Sequence, residues 1–267
     1  MNDMTALHQK IRDLREAGAP ERILPLLQQG FSQLEAVQQP GRSDLFMVMF
    51  EWRLLLEQHA PARAALVAER EQQIARILAG DHYLGCGIDD QAALAAAPWL
   101  WVERHGLVMD MNELLGDPHA TAALLARLEA EQPELATRMG RRAIAALVAI
   151  EDYARAERYL GEPLAMLDAV NACARTLPWL PPPGGAPRLT AETSNLATSV
   201  RHAVAILRGT GRAQQADDLR SALLAGLESD VVRAAAAREL DEPGAIMRMS
   251  VDHQMQQEQP EQPAQNA

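Results

Sequence analysis

The spacing of apolar positions predicts helices along almost the whole chain. Between residue 4 and about residue 249, apolar residues recur three and four positions apart, which is the period of a helix with one face packed against a core. Glycine and proline separate the segments, as at Gly18, Pro40-Gly41 and Gly80. No segment alternates apolar and polar residues as a half-buried strand does. We therefore predict an all-α protein of about a dozen helices, arranged as antiparallel neighbours.

The longest apolar run, LFMVMFEWRLLL at residues 45–56, contains ten apolar residues and only Glu51 and Arg53 as polar ones. As a helix it is apolar on two sides. One side carries Leu45, Val48, Met49, Trp52, Leu55 and Leu56. The other carries Phe46, Met47, Phe50 and Leu54. We expect neighbouring helices to pack over both sides. At 12 residues the run is too short to span a bilayer, which takes about 20.

The clearest interruption of the helical pattern is a segment rich in Pro and Gly at residues 177–189. We predict a helical array over 1–176, and helices over 190–249 that either pack on the same array or form a small subdomain. The interruption is thus either a domain boundary or a long crossing loop. Residues 250–267 are mostly Gln, Glu and Pro, a composition that predicts a disordered tail.

Four helix–turn–helix joints share a template of three positions. The first helix of each ends near an apolar residue, at Leu14, Leu55, Leu147 and Leu207. A turn residue follows four positions later, at Gly18, His59, Glu151 and Gly211. A small or aliphatic residue lies five positions further, at Ile23, Ala64, Ala156 and Ala216. A small side chain there allows the second helix to approach the first closely.

This template resembles the joint of tetratricopeptide-type repeats. The copies begin 41, 92 and 60 residues apart, whereas the family repeats every 34 residues, and its aromatic and Pro positions are missing or displaced. The resemblance implies an irregular α-solenoid whose concave surface holds a protein or peptide and has no chemistry of its own. An irregular helical bundle is the alternative.

The charge of the chain narrows the classes of partner. A net charge of −11 argues against binding to nucleic acid or to anionic lipid, and it suits a basic protein partner. Two cysteines, Cys86 and Cys173, are too few for a disulfide framework. The N-terminus has no apolar run after a basic segment, so we predict no signal peptide and a cytoplasmic location.

Sequence motifs for catalysis are missing. The chain has no GxxxxGKS/T, GxGxxG, HExxH or GxSxG, which weakens the nucleotide-hydrolase, dehydrogenase, zinc-protease and α/β-hydrolase interpretations. Potential metal ligands do cluster in the least regular region, at Asp81, His82, Cys86, Asp89, Asp90, His105 and Asp110. Their spacing matches no established ligand set, and helix caps or core positions explain them as well, so we predict no metal site and no cofactor.

Aromatic side chains in the same region give a candidate binding patch. If the segment is helical, Trp99 and Trp101 lie on opposite sides, so at most one of them is easily buried. Exposed Trp is typical of protein interfaces, and we place the patch at Tyr83, Trp99, Trp101 and His105. The alternative is that these aromatic residues close the core.

These patterns favour a non-enzymatic helical-repeat protein that acts by binding another protein, as an adaptor, regulator or escort. A more specific alternative is an acidic immunity-type inhibitor that covers the basic face of a toxin or nuclease, guided by electrostatic complementarity. The other alternative is an enzyme or metal-binding protein with a site around residues 81–110.

Overall fold

The computed structural model describes residues 3–85 and 101–258, and the regular secondary structure within these ranges is helical. It forms thirteen α-helices and one short 3-10 helix, with no β-strand in the described ranges. The all-α prediction is confirmed. None of the helices in the described ranges combines the length and the apolar character needed to cross a membrane. The chain divides into two compact units, residues 1–146 and 147–267.

The first unit begins with six helices. Their bounds are α1 (Asp3–Glu16), α2 (Ile23–Ala36), α3 (Arg42–Gln58), α4 (Ala60–Leu78), α5 (Arg104–Leu115) and α6 (Pro118–Glu131), with the 3-10 helix Pro20–Arg22 ahead of α2. Each of them packs on the next, and α1 also contacts α3. The next helix, α7 (Pro133–Ala149), begins in this unit and ends in the second.

The core of the first unit forms around α3. Gly30 on α2 has no side chain, and this lets α2 lie close to Val48 on α3 and Leu7 on α1. Trp52 is fully buried and lies near Phe31, with their ring centroids 6.2 Å apart. Leucine, isoleucine and methionine side chains of α1 to α5 complete the cluster. Burial of such side chains contributes about 2 kcal/mol each to folding.

The second unit is organised around one long helix. Its elements are α8 (Tyr153–Tyr159), α9 (Leu167–Thr176), α10 (Arg188–Gly209), α11 (Ala213–Gly226), α12 (Asp230–Asp241) and α13 (Ala245–Glu258). Helix α10 packs against the other five. In a solenoid each repeat contacts only its neighbours, so this arrangement is that of a bundle around a central helix, the alternative that the sequence left open.

The interruption near residues 177–189 lies inside the second unit. Val170 on α9 belongs to the same apolar cluster as Leu189, Leu196 and Val200 on α10. The chain between these helices is thus a crossing loop over a shared core. The sequence placed a candidate boundary there, whereas the division between the units falls within α7.

The segment predicted to be a disordered tail, residues 250–267, begins with residues that are helical in the structure. Residues 250–258 continue α13, and residues 259–267 lie outside the described ranges. The carboxylate of Glu239 accepts the backbone N–H groups of Gly244 and Ile246, at 2.7 and 2.8 Å, and so caps the start of α13. Ile246 and Ser250 are buried. Because the cap comes from another helix, the local composition gave no sign of it.

Three of the four predicted joints end their first helix in the same way. At Gly18, Glu151 and Gly211 the backbone is left-handed, with φ of 66°, 61° and 79°. The N–H of the next residue donates to a carbonyl five residues back, a Schellman closure. At the fourth joint, His59 has φ of −139°. The closure also occurs at Gly116, so it does not single out repeats, and the solenoid stays a prediction for the first unit.

Candidate functional site

Two of the four residues of the predicted aromatic patch are buried. Trp101 and His105 are buried, with exposed fractions of 8% and 4%. Tyr83 is half-buried, and Trp99 lies outside the described ranges. The positions of Trp101 and His105 are those of core residues.

The cluster of potential metal ligands is only partly described. Cys86, Asp89 and Asp90 lie outside the described ranges. Among the residues that the structure does describe, no three His, Cys, Asp or Glu side chains come close enough together to hold a metal ion.

A buried arginine holds the described part of this region together. Arg104, at the start of α5, is fully buried, and its guanidinium group forms an ion pair with Glu35. It also donates to Gln73 Oε1 at 2.6 Å, to Asp81 Oδ2 at 2.8 Å and to the Tyr83 carbonyl at 2.6 Å. Protein acceptors therefore occupy its donors, which leaves no free fork for a ligand. The arginine positions residues 81–85 against α2, α4 and α5.

Next to this arginine, His105 is held in its neutral form. Burial lowers the pKa of His105 to about 4, and the positive charges of Arg142 and Arg138 and the nearby His82 act in the same direction. The Glu103 carboxylate lies 3.2 Å from Nε2. A neutral ring can donate its Nε2 proton to that carboxylate, so the contact does not require a charged imidazole. His105 is therefore a structural residue of the core.

The outer side of α3 is where the structure departs most from expectation. The sequence predicted that neighbours cover both apolar sides of this helix. The inner side is buried, but Phe46 and Phe50 on the outer side have exposed fractions of 66% and 41%. Their rings stack, with centroids 6.3 Å apart and an interplanar angle of 14°. The prediction of coverage is wrong for these two residues.

The two phenylalanines form one wall of a groove of about 610 Å³ in the first unit. Met49 and Leu56 of α3 and Leu114 of α5 also line it. Leu56 and Leu114 pack directly on the buried cluster. The base of the groove is thus apolar and packs directly on the core of the first unit.

The facing wall of the groove is acidic. Asp110 and Glu113 project from α5, and Glu57 lies at the end of α3. Within the part of the chain described here, no cationic side chain pairs with Glu57 or Glu113, and Asp110 has only Arg142 at 3.9 Å. Desolvation raises the pKa of Asp110; Arg142 opposes this shift and Glu113 adds to it.

Two arginines also line the groove, and one of them is already engaged. Arg63 on α4 donates to the Leu115 carbonyl at the end of α5, at 2.8 Å. This contact ties the acidic wall to α4. Arg53 on α3 is the other. The groove is lined by three carboxylates and two guanidinium groups, so its net charge is negative.

The position of α5, and so of the acidic wall, depends on a second polar cluster. Arg70 on α4 is almost fully buried and donates to Asn112 at 3.1 Å and to Asp117 at 2.9 Å. Asn112 in turn donates to Thr121 on α6, at 3.0 Å. Because such buried polar groups are costly to leave unpaired, they fix the register of α4, α5 and α6.

The side chains that line this groove are of the types that bind a partner by apolar contact and by charge. Exposed aromatic side chains beside an apolar base gain free energy when a partner covers them, and unpaired carboxylates at the edge attract cations. The sequence did contain the signal, since the two-sided apolar pattern of α3 is unusual. It could not tell coverage by the same chain from an uncovered surface.

Comparison of the chain with models of protein families, with curated proteins and with solved structures finds no match.

Proposed function

We propose that this protein is a non-enzymatic helical protein that binds another protein through the groove beside α3. The proposal rests on the exposed, stacked pair of Phe46 and Phe50, which lies on a helix whose other side is largely buried in the core. Covering two such side chains contributes about 3 kcal/mol. This gain in free energy favours binding of an apolar side chain of a partner in the groove.

The charge of the groove indicates the kind of segment that fits. Its edge carries Glu57, Asp110 and Glu113, and the chain as a whole has a net charge of −11. An amphipathic helix with one apolar face and flanking Lys or Arg residues satisfies both features, because its apolar residues cover the phenylalanines and its cations meet the carboxylates. We therefore propose a basic amphipathic segment of a partner protein as the occupant.

Comparative capture from a lysate of the host tests this function. Tagged wild-type protein is compared with Phe46→Ser/Phe50→Ser, which removes the aromatic pair. The matched control is Val231→Ser/Met247→Ser, which removes two apolar side chains exposed by 55% and 64% in the second unit. We expect a stoichiometric partner with wild type and control, and its loss with the groove variant.

The acidic edge gives a second arm to the same experiment. Glu57→Gln/Glu113→Gln should retain the partner at low salt less well than wild type does, because the attraction between charges is least screened there and the variant lacks two of the carboxylates. Capture of the same proteins in the same amounts by wild type and the groove variant would contradict the proposed function.

A further inference from the structure

The second unit contains a pocket with the opposite charge to the groove. It has a volume of about 360 Å³ and lies where α8, α10, α11 and α12 meet. Three arginines line it, Arg201 and Arg208 from α10 and Arg220 from α11, with Asp241 as the acidic residue among them. In a chain with a net charge of −11, three guanidinium groups around one small cavity are a local reversal of sign.

Two of these arginines already have carboxylate partners. Arg208 donates to Asp217 at 2.8 Å, and Arg220 donates to Asp241 at 2.7 Å. Both pairs hold a guanidinium group at the rim of the pocket. Because each guanidinium has five N–H donors, a single carboxylate leaves donors available on both.

Arg201 has no such partner. Its Nη1 atom is buried and donates to no acceptor within the described residues. A buried cationic donor without an acceptor is costly, and an anion in the pocket would remove that cost. Arg201 and Arg208 are seven residues apart on one helix, which places them on the same face, two turns from each other.

A close contact between two helices shapes another part of the pocket lining. Gly209 at the end of α10 lies against the ring of Tyr153 on α8, and a side chain at this position would overlap that ring. Gly209 and Tyr153 both line the pocket. The last carbonyls of α10 carry partial negative charge. The Thr210 hydroxyl donates to the Ile206 carbonyl and the Arg212 backbone N–H donates to the Leu207 carbonyl, so both carbonyls are hydrogen-bonded within the chain.

We propose that this pocket binds the phosphate group of a small phosphorylated molecule. Arg208 and Arg220 are paired with Asp217 and Asp241, so the unpaired Arg201 leaves the site one net positive charge, which an anionic phosphate group would meet. Guanidinium forks fit phosphate oxygens in a bidentate manner. The volume exceeds that of a phosphate ion, so the pocket also has room for part of the molecule that carries it. This site is separate from the groove and does not depend on the function proposed for it.

Calorimetric titration of the full chain with inorganic phosphate and with glycerophosphate tests the proposal, with chloride at matched ionic strength as the blank. We expect saturable binding, and weakening of at least about tenfold in Arg201→Gln. Arg201→Lys keeps the charge without the fork, so its affinity should be intermediate. The matched control is Arg175→Gln, which removes an exposed arginine that pairs with Glu228 outside the pocket.

The two probes separate the sources of the phosphate group. Tighter binding of glycerophosphate supports a phosphorylated small molecule, and equal binding indicates that the phosphate group alone is recognised. Circular dichroism verifies that each variant folds, and Arg208→Gln replaces Arg201→Gln if the latter does not. Absence of saturable binding with both probes, or equal weakening in Arg175→Gln and the pocket variants, would overturn the proposal.

Discussion

His105 links the stability of the first unit to pH. Its pKa is about 4 in the folded chain, against 6.5 for an ordinary histidine, chiefly because of burial. Between pH 6.5 and 4 the unfolded chain therefore binds a proton that the folded chain does not. Stability contributed by the neutral ring is present above pH 6.5 and is lost as the pH falls toward 4.

We expect His105→Gln to remove part of this pH dependence. When the pH falls from 7 to 5, the unfolding free energy of the wild-type protein should drop by about 2 kcal/mol because of this ring. Urea titrations at the two pH values measure the drop. Gln keeps a donor for Glu103. His119→Gln, at an exposed position, is the control and should behave as wild type. Equal losses in His105→Gln and wild type would contradict the assignment.

The burial of two residues near α5 could not be predicted from the sequence. Trp101 and His105 looked like members of a binding patch, because aromatic residues in an irregular segment are typical of interfaces. Both are buried beside Arg104, which binds Glu35, Gln73 and Asp81 from three separate segments. A buried charge network between distant residues leaves no periodic pattern in a sequence, so it could not be predicted.

At the scale of helices, the sequence was informative about ends. Gly18, Gly80, Gly116 and Gly211 each follow a helix in the left-handed conformation, as glycine-based stop signals predict. The end of α7 is different, because Glu151 takes this position with φ of 61°. A residue with a side chain is strained there, at a cost of about 1 kcal/mol.

We expect Glu151→Gly to stabilise the protein by up to about 0.5 kcal/mol, because removal of the backbone strain outweighs the greater entropy of glycine in the unfolded chain. Urea unfolding monitored by circular dichroism measures the change. Gly211→Ala places a side chain in the equivalent position at the end of α10 and should destabilise the protein by a similar amount. Destabilisation by Glu151→Gly would show that the Glu151 side chain makes a favourable contribution that outweighs the strain.

The last helix marks the limit of local composition as a guide. Residues 250–258 contain few apolar side chains and were predicted to be disordered, yet they extend α13. The helix is started by Glu239, which caps it from α12, and by the buried Ile246 in its first turn. Once a helix has begun, each further residue adds a hydrogen bond at low cost. Its extension into a polar segment therefore depends on contacts made before that segment.

At the scale of the whole molecule, the helical class and most helix bounds could be predicted, whereas the packing of the helices could not. The first unit packs most helices on their chain neighbours, and the second packs five helices around α10. Both arrangements arise from similar amphipathic patterns. What distinguishes them is which apolar faces meet, as in the cluster shared by Val170 and Leu196 across a long loop.

The same limit applies to the candidate binding surface. The sequence showed that α3 is apolar on two sides, and the structure buries only one of them. The uncovered side lies beside three carboxylates on a protein with a net charge of −11. An uncovered aromatic pair with an acidic border is the feature on which the proposed function rests.

Photo-crosslinking from position 46 in living host cells tests whether a partner protein covers this aromatic pair. Phe46 is replaced by p-benzoylphenylalanine, which reacts with a protein that covers the groove, and the same residue at Val231, exposed by 55%, is the control. We predict one discrete crosslinked product from position 46 that is missing from position 231 and disappears when Phe50→Ser is added. No product from position 46, or the same products from both positions, would contradict the account.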